Sequence, residues 1–140
     1  MTSTKTPAQL YSLVFGATLL VAGIAGFLVD SSFGPLGSDV EGSNLILFEV
    51  NGIHNIVHLA SGALGLALWR NPASARLFAL GFGAVYLLVT VLGFAMGTNV
   101  LGIIPINAAD NVLHLTIAAV GLVAGLASRT VAEPTMSARA

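Results

Sequence analysis

Four stretches of this chain run for roughly 18 residues or more without a charged side chain, the length that carries a helix across about 30 Å of hydrocarbon. They are Leu10–Val29, the segment between Glu49 and Arg70, Leu77–Gly97 and Asn111–Ser128. Inside a bilayer no water is at hand for the backbone, and none of these runs alternates in the way of a strand, so helices are the reading. Composition agrees: 56% of the 140 residues are hydrophobic and 8% charged, where a soluble domain carries about a quarter charged residues. The expected fold is an all-α, integral membrane four-helix bundle in a single domain over 1–140. Its helices are expected at about 9–29, 51–69, 75–97 and 108–128, with 129–140 as a disordered tail. The first run also resembles a signal peptide, with Ala22 and Gly23 near a cleavage-like position. It is too long for one, and a counterpart later in the chain favours a spanning helix.

The basic residues set the orientation. Lys5 precedes the first helix, Arg70 and Arg76 lie between the second and third, and Arg129 and Arg139 follow the fourth. The opposite loops carry Asp30, Asp39, Glu41, Glu49 and Asp110 and no lysine or arginine. The positive-inside rule then places both termini in the cytoplasm, in a multi-pass protein of the cell (inner) membrane. A net charge of −1 and the lack of any basic run speak against a nucleic-acid partner. The chain has no cysteine, which excludes disulfides, thiolate ligands and thiol catalysis. Between the first two helices the loop DSSFGPLGSDVEGSN is rich in turn formers, and LILFEV after it is apolar enough to lie on the outer interface or to extend helix two.

NGIHNIVHL at 51–59 and NAADNVLHL at 107–115 align at an offset of 56. The match continues down the helices, with Gly65-Leu66 opposite Gly121-Leu122. The first and third helices align at an offset of 67, FGA at 15–17 with FGA at 82–84 and GF at 26–27 with GF at 93–94. The bundle therefore reads as two tandem helical hairpins of the same orientation, a parallel internal repeat about an axis along the membrane normal.

Asn51, His54, Asn55 and His58 fall on one stripe of the second helix, followed by Gly62, Gly65 and Trp69. Asn107, Asp110, Asn111 and His114 fall on the equivalent stripe of the fourth, followed by Ala118, Gly121 and Gly125. Polar groups are costly against lipid and small residues allow close backbone approach, so this face should look inward. On a structural reading Asn51 and Asn107 are N-caps and Asp110 bonds free amides at the third helical position. Asn55, Asn111 and the histidines then hydrogen-bond across the repeat axis and dock the two hairpins.

A chemical reading uses the same residues. His54 and His58 stand at i and i+4, the spacing by which one helix offers two imidazoles to a metal. With His114 and Asp110 they make a three-histidine, one-carboxylate set for zinc, and imidazoles also accept copper or iron. Haem is a variant, with His58 and His114 as axial ligands and the glycines below making room. Proton conduction would need Tyr86, Thr90 or water, because the lower halves of helices two and four hold no titratable group. No catalytic residue is expected, since Ser12, Ser61 and Ser128 lack an evident base or oxyanion partner.

At these positions the sequence resembles a family of small four-span bacterial membrane proteins, domain of unknown function 4383. HNIVHL preceded by LFEVN, and NAADNVLHL preceded by IIP, carry the resemblance, which runs from helix one to about Ser128. It implies a four-helix membrane protein and marks the same polar residues, and it implies no activity. The expectation is a non-enzymatic membrane protein with no assigned cofactor, whose outer-side Asn/Asp/His cluster links the two repeats. Its partners would be the lipid bilayer and either another membrane protein or a second copy of itself. The alternative is a membrane redox or transport component binding zinc, copper or haem through His54, His58, Asp110 and His114.

Overall fold

A computed structural model of the chain describes residues 4–128. The expected tail 129–140, with Arg129 and Arg139, lies outside the described residues. Within them are helices α1 (Pro7–Val29), α2 (Gly52–Leu68), α3 (Pro72–Met96) and α4 (Ala108–Ala127). Two short antiparallel hairpins precede the even-numbered helices: β1 (Ser43–Leu45) with β2 (Phe48–Val50), and β3 (Asn99–Val100) with β4 (Ile104–Pro105). The fold is the expected all-α membrane bundle. α1, α3 and α4 are long and apolar enough to cross a membrane. α2 has 17 residues, about 26 Å at 1.5 Å per residue, slightly under the usual span.

Caps explain the helix starts. The Thr6 hydroxyl accepts the Gln9 amide at 3.2 Å while the Gln9 side-chain oxygen accepts the Thr6 amide at 3.0 Å. Pro7 occupies the first helical position, where its missing N–H leaves nothing unsatisfied. Asn71 caps α3 by accepting from Ser74 N at 3.0 Å, again with a proline next in the chain. α1 and α3 therefore begin two and three residues ahead of the starts expected at about 9 and 75.

α1 packs chiefly on α2 and α3 chiefly on α4, so each helical hairpin is a close pair. Glycine permits the approach. A methyl at Gly62 would stand 2.7 Å from the Gly16 carbonyl oxygen, and one at Gly83 would stand 2.9 Å from the Leu122 nitrogen. At the end of the bundle that bears Lys5 and Arg70 the two pairs meet in a core of Ala8, Tyr11, Ala75, Phe78, Ala79, Ile117, Ala118 and Ala124. Tyr11 Oη donates to the Ile117 carbonyl at 3.0 Å, and Gln9 Nε2 to the Arg70 carbonyl at 2.9 Å. Leu28, Leu77, Val21 and Leu126 point outward, as suits side chains facing lipid.

The segment LILFEV does not extend helix two but folds as part of a β-hairpin. Leu45 pairs with Phe48 and Asn44 with Glu49, so the strand ladder satisfies its backbone, and Asn51 starts the helix only afterwards. The second hairpin pairs Val100 with Ile104 in the same position ahead of α4.

Candidate functional site

The polar stripes face inward. Asn51, Asn55, Asp110 and Asn111 are buried, and His54, His58 and His114 are only 2%, 8% and 3% exposed. His58 and His114 each stand seven positions after their N-caps, about 10 Å down the helix.

The caps do two jobs at once. Asn51 Oδ1 accepts the His54 amide at 2.9 Å, and its Nδ2 donates across the bundle to the Ile103 carbonyl at 3.4 Å. Asn107 Oδ1 accepts the Asp110 amide at 3.1 Å, and its Nδ2 donates to the Leu47 carbonyl at 2.9 Å. Each helix cap thus binds the tip of the β-hairpin that precedes the other helix. Asp110 joins them further: its Oδ2 accepts the Asn107 amide and the Glu49 amide, both at 2.9 Å. A carboxylate at this position also meets the positive end of α4.

Asn55 and Asn111 play a different part from the one expected. Asn55 Nδ2 donates to the Asp30 carbonyl at the end of α1, 2.7 Å away, inside its own hairpin. Its side-chain oxygen rests against Gly26, where any Cβ would overlap it. Asn111 sets its oxygen against Gly93 of α3 in the same way. Neither oxygen has a hydrogen-bond partner among the described residues. These carboxamides lock each helical hairpin, while Asn51, Asn107 and Asp110 tie one hairpin to the other. The expected bonds across the repeat axis from Asn55 and Asn111, alongside the histidines, fail at Asn55 because the end of α1 lies within its reach.

The three histidines converge. Each offers a ring nitrogen, and these atoms lie within 4.8 Å of one another. The ring centroid of His54 is 4.4 Å from that of His58 and 6.0 Å from that of His114. His54 Nδ1 lies 2.8 Å from the Glu49 carbonyl oxygen. A carbonyl only accepts, so Nδ1 carries the proton, and the Pro105 carbonyl is a second hydrogen-bonding neighbour of the ring. His58 Nδ1 and His114 Nδ1 are buried with no hydrogen-bond partner among the described residues. Tyr86 stands edge-on to His114 with centroids 5.2 Å apart, and Thr90 Oγ1 donates back to the Tyr86 carbonyl at 2.8 Å. Asp110, expected as a fourth member, stands outside the nitrogen cluster and spends Oδ2 on two amides.

His58, His114 and Asp110 line a partly enclosed chamber of about 130 Å³. Thr18 lines it too, and the rest of the wall is apolar, from Phe15, Leu19 and Ala22 of α1, Phe48 and Val50 of β2, and Leu113 and Ile117 of α4. Of these wall residues Phe15 opens the repeated FGA, Phe48 and Val50 lie in LFEVN and Leu113 in NAADNVLHL, while Leu19 aligns with Tyr86 at the offset of 67.

A family model described as "Domain of unknown function (DUF4383)" matches residues 9–127. The chain belongs to this family. The DUF4383 match includes every residue of the polar cluster and all the chamber walls. No curated protein and no solved structure matches the chain.

Proposed function

We propose that this DUF4383 protein is a non-enzymatic binding protein of the membrane, in which two repeat-related hairpins are clasped at the outer side to hold a receiving site of three imidazoles. The carrying observation is a division of labour within one cluster. Asn51, Asn107 and Asp110 use their side chains to join the hairpins, whereas the buried Nδ1 atoms of His58 and His114 bond to nothing described. An unsatisfied buried polar group costs about 1–3 kcal/mol, and unlike the equally unpartnered oxygens of Asn55 and Asn111, which press on Gly26 and Gly93, His58 and His114 line a chamber. The offset of 56 supports the repeat: it relates Asn51 to Asn107, Leu47 to Ile103 and β1–β2 to β3–β4.

Placement in the cell membrane with four spans and cytoplasmic termini rests on the five basic residues and their side of the helices. The apolar core beneath the histidines favours a closed site over a proton or ion path. A chamber of about 130 Å³ favours a small guest over haem, since pockets for cofactor-sized ligands run to about 300–1,000 Å³.

The reading is tested by acylating the metal-free protein in detergent with diethyl pyrocarbonate and mapping the products. Modification of His58 and His114 without loss of helicity is expected. Inert histidines in folded protein, under conditions that modify a free imidazole, would reduce the cluster to a packing element.

A further inference from the structure

We infer that His54, His58 and His114 bind a single divalent transition-metal ion, with its fourth coordination position open to the chamber between α1 and α4. The inference rests on the receiving-site reading above and names its guest. Three imidazoles make a nitrogen-only donor set, which suits zinc, copper, nickel or iron and not the oxygen-seeking magnesium or calcium.

Geometry is close to what an ion needs. Bonds of about 2.0–2.1 Å in a tetrahedral site place ligand nitrogens about 3.3 Å apart. The nitrogens here lie within 4.8 Å, so small rotations of the imidazole rings bring them to bonding distance. The set draws on both halves of the bundle, two ligands from α2 and one from α4. Nothing else described competes for Nδ1 of His58 or His114.

The surroundings complete the case. Metal-ligating histidines usually donate their other N–H to a carbonyl or carboxylate, which fixes the ring. His54 does so to Glu49 before any ion arrives. Glu49 also gives its amide to Asp110, so the clasp and the ligand shell share one residue. The described basic side chains are held elsewhere: Lys5 and Arg70 over the Trp69 ring and Arg76 against the Gly125 carbonyl. Among the described residues no cation therefore opposes a metal at the histidines, and Asp110 supplies negative charge on the chamber wall. Three protein ligands with a vacant direction are the pattern of sites that exchange a small ligand, as opposed to closed structural sites.

The test is a cobalt(II) titration of metal-stripped protein in mild detergent, followed by zinc competition. Visible bands of four-coordinate cobalt saturating at one equivalent are expected, with a shift on adding azide as the fourth ligand. H54A, H58A and H114A should each weaken binding at least tenfold, and D110N, which removes the wall charge and no ligand, should weaken it less than any of the three. Helicity and melting of each variant separate ligand loss from misfolding. X-ray absorption of the zinc-loaded parent gives a second readout, with three imidazoles in the shell. Binding below 0.1 equivalent, or binding indifferent to all three substitutions, overturns the inference. Acylation of His58 and His114 in the same preparation would then leave the receiving site intact with a guest other than a metal. A metal shell already closed by four protein ligands would overturn the open position.

Discussion

The side chain of Asn107 donates to the carbonyl of Leu47 at 2.9 Å, so the cap of the last helix holds the tip of a β-hairpin 60 residues earlier. With Asn51 and Ile103 in the reciprocal contact, the two halves are joined by their loop tips and caps. The joint sits directly above the histidines, and it fixes how far His114 stands from His54 and His58.

Asn107→Ala removes both a cap and a cross-link. Capping contributes about 1 kcal/mol and an interhelical bond in a membrane protein about 0.6, so a loss of about 1.5 kcal/mol is expected in a detergent melt. Asn107→Ser keeps an oxygen for the Asp110 amide and is too short for Leu47, so it should lose less than half of that. Equal losses for serine and alanine would mean the cap carries nothing and the cross-link everything.

Gly26→Ala forces a methyl into the Asn55 oxygen. Overpacking of this kind costs about 1–3 kcal/mol, which exceeds the helix-propensity gain of about 1 kcal/mol from replacing glycine. Asn55→Ala should be destabilising alone and should rescue Gly26→Ala in the double variant. Additive losses in the cycle would contradict the contact. Gly93 and Asn111 should behave alike.

Acid stability should carry a signature of Asp30. The Ser32 hydroxyl and amide, with the Ser43 hydroxyl, hold its carboxyl below the ordinary carboxylate range. Its folded value is depressed, so its stabilisation is complete above the unfolded value of about 3.9 and is lost as pH falls through the folded one. Ser32→Ala should therefore move the Asp30 midpoint upward in a carbon-detected NMR titration. A midpoint unchanged by Ser32→Ala would show that the hydrogen bond from the Ser32 hydroxyl does not persist in solution.

Leu19→Phe places extra carbon beside the chamber. Cavity-filling substitutions commonly add about 0.5–2 kcal/mol, so the metal-free protein should melt higher. Azide binding at a cobalt centre should weaken, because the fourth position looks into the same space. A lower melting temperature would mean that the chamber collapses around leucine in solution.

Much of this was legible in the residues. The inward stripes follow from spacings of three and four, and charge-free length announced the helices. The caps were legible too at Asn51 and Asn107, whereas Thr6 with Gln9 and Asn71 with Pro72 were available signals that the apolar runs obscured. The β-hairpins were not readable, since strands of two or three residues carry no periodicity. Nor were the seats of Asn55 and Asn111, although Gly26 and Gly93 stood aligned in the two GF pairs. A side chain's partner on another helix depends on the docking angle, which no local pattern encodes.

The shortness of α2 bears on how the bundle sits among lipids. α1 and α3, at 23 and 25 residues, measure about 35 and 38 Å and fit a bilayer of about 30 Å by leaning. α2 is pinned to α1 by close glycine contacts and must lean with it, so its reach along the membrane normal falls below the hydrocarbon thickness. The β1–β2 ladder fills the remaining depth with its backbone already paired, and its tip residues Ile46 and Leu47 are 84% and 66% exposed. Where the headgroups of a bilayer meet that greasy tip, bilayer thickness becomes a mechanical input to the hairpin that Asn107 holds.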